Sequence, residues 1–551
     1  MPARRLLTAM LAAGFAFGAG AQDDVRLPDL GSSAGAVLSP QEAQQYGAGM
    51  LHQMRAMDLV LDDPLVNDYI NDVGYRLVAH SDNPKLKFTF FVVRDDEINA
   101  FAAPGGYIGV NSGLIDITSS ESELAGVMAH EIGHITQHHL ERAFEASKKD
   151  APLMALVLLG AIAAGSGSNS GDAGMAVLAG GQGLLAQREI NFTRKDETEA
   201  DRVGIETLAK AGYDPNAMAG FFQRMADVLR PGAGGDDVPA LLQSHPVTAE
   251  RISEAKARAH TLQQTSKWAA TALDSTHWQK TTAPIAFVKD PSALLAAPKA
   301  ATGGLPMYPL MRERVRVLAD DATRMAAWYA QNLAHGHGFD TPANRYGYAL
   351  ALTRSGRGGK AIGQLQPLLD KYPSSLPLRL AMAGAELDAG QRARALAIYA
   401  DLHAGSPTNR AIAIAYAHAL LDDGSVAAAG KAAVLLKPLL DDSDEPDIYQ
   451  TYARASERAG DGARAAEAYA DASYLSGRPF DAMEQLRRLL KRKDLDYYQR
   501  ARVQARIAEL TPIVLELHKR HVKTEDSGEQ QFAPAAGESC AGRLCFGVEG
   551  H

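Results

Sequence analysis

The sequence predicts an α+β protein that is mostly helical, with a small sheet near its N-terminus and a solenoid of helix pairs towards its C-terminus. Two observations carry this prediction. A β-rich run at 87–93 lies between stretches whose apolar residues recur at helical spacing. Further along, glycines in turn-like contexts are separated by 34, 34 and 36 residues: Gly356, Gly390, Gly424 and Gly460. A period of this length is typical of stacked helix pairs.

Composition narrows the class of protein. The chain has 551 residues, of which 46% are hydrophobic and 22% charged, as in ordinary globular proteins. Its formal net charge is −9 and no long basic run is present. A nucleic-acid partner is therefore not expected.

The N-terminus has the three parts of an export signal. Arg4 and Arg5 provide the positive end, 6–17 is apolar, and 19–21 supplies small residues for cleavage. The apolar part is too short to span a bilayer. We therefore predict a cleaved signal peptide at 1–21 and a protein exported to the periplasm.

The two cysteines, Cys540 and Cys545, both lie near the C-terminus. In an oxidising compartment such a pair can close a small disulfide loop. The alternative is a metal pair, for which His551 is the one nearby candidate partner. The sequence favours the disulfide.

The residues before 116 predict the front of a catalytic domain. A capped helix is expected to begin at Ser39, another covers 64–80, and 87–93 is a core strand. A Pro-Gly-Gly turn at 104–106 leads into a short strand at 107–110. We predict that this strand is an exposed edge that pairs with an extended peptide substrate through Tyr107, Ile108, Gly109 and Val110. The alternative is a plain hairpin.

The sequence His130-Glu131-Ile132-Gly133-His134 is the strongest chemical signal. Residues four apart share a helix face, so His130 and His134 point two imidazoles at one metal ion. Ser120 and Glu123 form a capping-box pattern that starts this helix. Zinc suits such a site, with Glu131 handling the proton of a zinc-bound water.

A second acidic motif, Glu197-Thr198-Glu199-Ala200-Asp201, follows about sixty residues later. Glu197 is placed to be the third zinc ligand. Asp201, on the same helix face, is expected to accept the free ring N–H of a ligating histidine. Glu199 points elsewhere, and we expect it in a salt bridge.

Together with Asn99 and the 104–106 turn, these motifs resemble the gluzincin peptidases of the Oma/CaaX-protease type over about residues 39–257. The resemblance implies zinc ligands His130, His134 and Glu197, with Glu131 as general base. Periplasmic members also carry a His-Pro loop, matched here by Ser244-His245-Pro246, and a basic residue matched by Arg251. The family implies that His245 occupies the open zinc position and keeps the enzyme latent. The alternative for His245 is an ordinary loop histidine.

An apolar stretch at 151–165 precedes a Gly/Ala/Ser-rich stretch at 166–183. A lid, a membrane-touching hairpin and a buried helix followed by a mobile loop are alternatives. We favour a mobile segment near the active site. If this stretch is the membrane-touching hairpin, we expect the protein to contact a membrane peripherally.

These signals divide the chain into a signal peptide and four further regions. The repeat period is that of tetratricopeptide repeats, which stack into a curved solenoid. Tyrosines that either line its groove or pack between helices are Tyr346, Tyr348, Tyr399, Tyr449 and Tyr452. The predicted regions after residue 21 are a metallopeptidase domain at 22–262, a linker at 263–306, a tetratricopeptide-repeat domain at 307–515 and a flexible tail at 516–551.

The resemblance implies a zinc endopeptidase with chaperone activity that degrades stalled outer-membrane protein precursors. Its expected partners are those precursors and the outer-membrane assembly machinery. A second hypothesis is a repeat-based chaperone or scaffold whose metal site is normally shut. A third is a membrane-docked protease.

Overall fold

The computed structural model describes most of the chain, in eight separate ranges. Its residues are 39–143, 194–228, 239–265, 305–335, 338–441, 443–519, 538–541 and 544–547. The predicted signal peptide, the apolar stretch at 151–183 and nearly all of the predicted linker lie outside the described residues.

The N-terminal half combines helices with a small three-stranded sheet, as predicted. Ser39 and Glu42 form a complete capping box at the first helix, and Asp63 caps the second. The elements are α1 (Pro40–Ala56), α2 (Pro64–Val78), β1 (Thr89–Val93), β2 (Ala100–Ala103), β3 (Tyr107–Asn111), α3 (Ser112–Ile117), α4 (Glu121–Thr136), α5 (139–143), α6 (194–210), α7 (Asn216–Val228), α8 (Ala240–Ser244) and α9 (Ala249–Thr265).

The strand order corrects one prediction. The sheet runs β1-β3-β2, with β3 parallel to β1 and antiparallel to β2. The predicted edge strand, Tyr107, Ile108, Gly109 and Val110, is therefore the buried centre of the sheet. The reason is that β1 returns to pair along β3, which a local hairpin pattern does not reveal. The strand that contacts α4 as an edge is β2.

Small residues bring α4 and α6 together. A Cβ added at Gly133 would lie 3.1 Å from the carbonyl oxygen of Ala200. A Cβ at Gly204 would lie 3.1 Å from the backbone nitrogen of His130. Because both glycines lack that atom, the two backbones pack closely. This contact sets the two predicted motifs face to face.

The cap of α4 differs in part from the predicted capping box. The Ser120 hydroxyl accepts from the backbone N–H of Glu123, as expected. The Glu123 carboxylate instead accepts from the backbone N–H of Ser119 and pairs with Arg224 of α7. The acidic residue thus ties α7 to the start of α4.

The C-terminal half consists of helices that each contact the next along the chain. The predicted glycines lie in the turns of successive pairs with positive φ: Gly356, Gly390, Gly424 and Gly460. The helices are α10 (Met307–Ala319), α11 (Ala322–His335), α12 (Pro342–Arg354), α13 (Gly358–Lys371), α14 (Leu376–Asp388), α15 (Arg392–Gly405), α16 (Arg410–Leu421), α17 (Val426–Leu436), α18 (Pro446–Arg458), α19 (Gly462–Leu475), α20 (Pro479–Leu490) and α21 (Tyr497–Lys519).

A polar joint connects the two halves. The Arg314 guanidinium of α10 donates to both carboxylate oxygens of Asp63, at 2.7 and 2.6 Å. The Tyr308 hydroxyl donates to the Thr118 carbonyl at 2.7 Å. The apolar cores of the two halves are continuous as well, since α2 packs against α10 and α16.

The two halves also meet at α1, where the backbone of a glycine from the C-terminal half lies close to the backbone of this helix. The His52 ring of α1 packs edge-on against Tyr474, with 4.8 Å between ring centroids. Gly477, with φ +75°, follows α19, and a Cβ at this position would collide with the carbonyl oxygen of His52. The turn between α19 and α20 is therefore seated on α1.

The predicted flexible tail contains structure. Helix α21 passes residue 515 and ends at Lys519, and an antiparallel strand pair follows, β4 (Glu538–Ala541) and β5 (Leu544–Gly547). The register sets Cys540 opposite Cys545, while the disulfide itself stays a prediction. Within the described ranges, no helix combines the length and apolarity that crossing a membrane requires.

Candidate metal centre

Helix α4 presents two imidazoles on one face. The Nε2 atoms of His130 and His134 lie 3.0 Å apart, at the four-residue spacing predicted from the sequence. Both rings lie in a largely buried position, and Glu131 beside them is 1% exposed. The helix therefore carries its polar residues into the domain core.

Helix α6 brings carboxylates to the same point. The Glu197 carboxylate lies 3.4 Å from Nε2 of each α4 histidine. On the opposite side of the His130 ring, Nδ1 is 2.9 Å from Asp201 Oδ1. Glu197 thus faces the metal-binding nitrogens, and Asp201 faces the outer nitrogen of His130.

The segment after α8 carries a third imidazole into the cluster. His245 Nδ1 lies 2.8 Å from Glu197 Oε1 and 3.4 Å from His130 Nε2. His245 Nε2 is 3.7 Å from Glu131 Oε1. The backbone N–H of Leu241 donates to the Ile98 carbonyl at 3.1 Å. Ile98 lies just before β2, so this loop is anchored beside the sheet edge.

Arg251 of α9 holds the α6 carboxylates in place. Its Nε and Nη2 donate to Asp201 at 2.7 and 2.8 Å. Its Nη1 lies 2.9 Å from Glu197 Oε2 and donates to the Pro246 carbonyl at 2.8 Å. One buried guanidinium therefore links both acidic residues to the loop that carries His245.

The buried charges alter the protonation of the cluster. Burial favours the neutral form of Glu197, yet hydrogen bonds from the three surrounding histidines hold its pKa well below the usual value. Burial likewise opposes ionisation of Asp201, but Arg251 and His130 lower its pKa. Both carboxylates are therefore ionised at neutral pH.

The donor set fits a zinc ion. Ligand atoms of His130, His134, Glu197 and His245 all lie within 4.8 Å of one another. Among the described residues, the buried Glu131 Oε1 has no hydrogen-bond partner. Three imidazole nitrogens and one carboxylate oxygen are ligands that zinc accepts, and an unpaired carboxylate oxygen beside them suits a zinc-bound water.

Comparisons with known proteins identify the family. A model of peptidase family M48 matches residues 64–259. The beta-barrel assembly-enhancing protease of Escherichia coli K12 is 33% identical over 486 residues, which are 88% of this chain and 91% of that protein. The chain belongs to peptidase family M48.

Other M48 relatives match a smaller share of the chain. A Vibrio cholerae relative is 42% identical over 258 residues, and the match spans about half of that protein, 52%. The mitochondrial metalloendopeptidase OMA1 of Schizosaccharomyces pombe is 34% identical over 184 residues, 33% of this chain and 50% of that protein. As an M48 peptidase, this chain is a zinc metalloendopeptidase.

The structure unites most of the residues predicted for the site. His130, Glu131, His134, Glu197 and His245 converge on one point, and Asp201 and Arg251 lie directly behind them. Glu199 pairs with Arg142, as expected of a salt-bridge residue.

The residues predicted to bind substrate do not join this M48 site. Tyr107, Ile108, Gly109 and Val110 lie inside the sheet, where both neighbouring strands already use their backbone. The Tyr107 hydroxyl accepts a hydrogen bond from Gln44 of α1. This prediction was wrong because it took a central strand for an edge.

The sequence patterns did not predict one residue that lies beside the M48 site. His139 is 4% exposed, and its Nδ1 lies 2.9 Å from Nδ1 of His134. Helical spacing gives no hint of it, since residues five apart do not share a face. The intervening His138 interrupts the helix with φ +56°, a left-handed backbone conformation that the sequence did not predict.

Proposed function

We propose that this M48 peptidase is an exported endopeptidase that acts on outer-membrane protein precursors in the periplasm. The observation that carries the catalytic part is the convergence of α4 and α6 on one centre, beside a buried Glu131 carboxylate oxygen that has no hydrogen-bond partner among the described residues. The substrate class and the compartment rest on the likeness to beta-barrel assembly-enhancing proteases along 88% of the chain.

His130, His134 and Glu197 would hold the zinc ion. Bound there, zinc lowers the pKa of a water and polarises the peptide carbonyl. Glu131 takes the proton from the attacking water and gives it to the leaving amine nitrogen. Asp201 Oδ1, 2.9 Å from Nδ1 of His130, is placed to take the hydrogen of that nitrogen, which favours the tautomer that leaves Nε2 free to ligate.

His245 holds the enzyme latent. Its ring lies against both Glu197 and Glu131, in the space that water and substrate need. The Leu241–Ile98 hydrogen bond and the Arg251–Pro246 hydrogen bond keep its loop in that position. Opening requires both contacts to break, so the loop acts as a lid over the centre.

An extended substrate segment pairs with the free side of β2 in this proposal. Strand β2 contacts α4 and, among the described residues, forms its sheet hydrogen bonds with β3 alone. Unfolded β-barrel precursors are rich in extended segments that can add to a sheet edge. This edge replaces the buried strand that the sequence predicted.

The C-terminal helices act as a tetratricopeptide-repeat domain that recruits clients. The glycine turns at a period of 34–36 residues support the assignment. Of the tyrosines considered for the groove, Tyr346, Tyr399 and Tyr452 are buried and pack between helices. Client contacts are therefore made by residues other than these three tyrosines.

The test compares three purified proteins on a denatured outer-membrane β-barrel protein. The wild type binds about one zinc per chain. Glu131→Gln retains zinc but cleaves roughly 10³-fold more slowly, because the proton acceptor is lost. His245→Ala retains zinc and cleaves several-fold faster, because the lid no longer closes. Unchanged cleavage in Glu131→Gln rules out its role as base, and unchanged cleavage in His245→Ala removes the latch.

A chaperone function is the second candidate, favoured by the closed position of His245. A strain lacking the protein separates the two functions. Full restoration of outer-membrane assembly by Glu131→Gln supports the chaperone. Restoration by the wild type alone supports the peptidase.

A further inference from the structure

The two α4 histidines are supported differently on their outer sides. His130 Nδ1 faces the Asp201 carboxylate directly, at 2.9 Å. His134 Nδ1 faces another imidazole, that of His139, also at 2.9 Å. The His139 ring is 4% exposed and meets His134 at 83° between ring planes, so the contact is an edge-on hydrogen bond rather than a stack.

The geometry fixes which nitrogen carries each proton. His134 binds zinc through Nε2, so its Nδ1 must carry the hydrogen and donate it to His139 Nδ1. His139 is then an acceptor at Nδ1 and carries its own hydrogen at Nε2. That atom lies 3.2 Å from Glu199 Oε2, which accepts the hydrogen. We assign these tautomers from the hydrogen-bond network.

An ion-pair cluster of Arg142, Asp196 and Glu199 lies at the end of this series of hydrogen bonds, beyond His139. Arg142 Nη2 donates to Glu199 Oε2 at 2.8 Å and to Asp196 Oδ1 at 3.0 Å. His139, Asp196 and Glu199 have ligand atoms close enough to hold a second metal. Arg142 already donates to both carboxylates, however, and both ring nitrogens of His139 are engaged, Nδ1 with His134 and Nε2 with Glu199, so His139 offers no free nitrogen to a second cation. The cluster is a support for His139 and not another metal site.

The backbone is shaped to place His139 under His134. Helix α4 ends at Thr136, and the backbone of His138 adopts φ +56° before α5 begins. This left-handed residue turns the chain so that a side chain five positions after His134 returns to its ring. A non-glycine residue in this conformation carries strain, which the buried His139 contacts offset.

We propose that His139 is a positioning residue that fixes the tautomer and orientation of His134 and links it to the Glu199 carboxylate. The two zinc histidines are thus anchored to α6 by two routes, one direct through Asp201 and one through a second imidazole. This inference rests on the proposal that His134 ligates zinc. Partners of this kind contribute about 10–100-fold to metal affinity.

The experiment measures zinc affinity by competition with a chromogenic chelator, using full-length protein. His139→Leu is expected to bind zinc about 10–100-fold more weakly, because the His134 N–H loses its acceptor. His139→Gln retains an acceptor and a donor at similar reach and is expected to recover most of the affinity. Glu199→Gln weakens binding less than His139→Leu, since the imidazole remains.

A spectroscopic readout separates positioning from a general loss of structure. With Co²⁺ in place of zinc, the visible absorption bands of His139→Leu shift, while those of His139→Gln match the wild type. The control is His260→Leu, an exposed histidine of α9 that contacts Gln264. It is expected to leave affinity and spectrum unchanged.

The outcomes distinguish this inference from the proposed centre. Failure of the wild type to bind zinc, or full binding by His134→Ala, overturns the centre itself. Zinc binding by the wild type with unchanged affinity and spectrum in His139→Leu overturns only the role of His139. Equal losses in His139→Leu and His139→Gln also overturn it, because a mere packing role would give that result.

Discussion

The metal centre and the joint between the two halves both bury ionic groups, yet they satisfy them differently. At the joint, Asp63 uses both oxygens on Arg314 and also caps α2 by accepting from Val66. At the centre, four ligand atoms lie close together around one point, and the Glu131 Oε1 nearby has no hydrogen-bond partner in the described part of the chain, with His245 Nε2 3.7 Å away.

The difference teaches how to distinguish a structural cluster from a functional one. The Asp63–Arg314 pair at the joint is complete within the protein, because both carboxylate oxygens meet a guanidinium of matching geometry. The centre is complete only when a cation is added, because its histidine nitrogens and Glu197 point at each other. Incomplete pairing in a buried site marks the place where a ligand belongs.

The largest expected effect tests that distinction at Arg251. Arg251→Met is expected to lower the free energy of unfolding of the zinc-free protein by about 4 kcal/mol, since two buried carboxylates lose their partner. Saturating zinc should restore part of that loss by binding the folded state. Urea unfolding with and without zinc measures both values.

The control for this test is Arg258→Met on the same helix, where a half-exposed guanidinium pairs with Glu254 and Glu206. It should have little effect in either condition. If the free energy of unfolding of Arg251→Met is the same with and without zinc, the centre of this variant does not gain stability from a cation.

The second prediction concerns the joint. Asp63→Asn keeps a good helix cap but breaks the ion pair, leaving Arg314 without its carboxylate. We expect a loss of about 3 kcal/mol relative to the wild type, and the same loss whether zinc is absent or present in both samples. The matched control is Asp340→Asn, which breaks the exposed Arg345 pair and should leave the midpoint of urea unfolding unchanged. A loss relative to the wild type that becomes smaller when zinc is added to both proteins would contradict the separation of the two clusters.

The smallest effect is a dependence of stability on pH. Glu445 pairs with Arg410 of α16, the helix that packs against α2 at the joint. Burial, reinforced by Asp68 of α2, raises the pKa of Glu445 to about 8, against the attraction of Arg410. The folded state therefore holds a proton that the unfolded chain releases near pH 4.5. Its contribution is complete below that pH and is lost as the pH rises through about 8.

Thermal unfolding between pH 6 and pH 9 tests this expectation. The wild type should lose about 2–3 kcal/mol more than Glu445→Gln, whose side chain does not ionise. The neighbouring carboxylates Asp62, Asp68 and Asp444 are present in both proteins, so the difference reports Glu445. Parallel pH profiles would exclude Glu445 as the source.

Local sequence signals were sufficient for the helices and for most of the centre. Capping residues located the starts of α1 and α4, and the glycine period located the turns of the C-terminal helices. The His130–His134 spacing and the acidic motif identified residues that α4 and α6 bring together. These signals work because each depends on neighbours within a few turns of helix.

Other features depended on contacts between distant segments. The position of β3 inside the sheet follows from its pairing with β1, and the joint follows from the fit of α1 and α2 against the C-terminal helices. His139 reaches His134 only because His138 adopts an unusual backbone conformation. No local periodicity encodes such contacts, so the sequence could not reveal them.

The close approach of Gly477 to α1 has a practical consequence. A single methyl group at this turn would act as a wedge against the His52 carbonyl and push α1 away from the helical half. Gly477→Ala therefore offers a way to separate the proposed client recruitment from cleavage without altering a catalytic side chain. The coupling between the two halves of this enzyme can thus be changed at one position far from the metal centre.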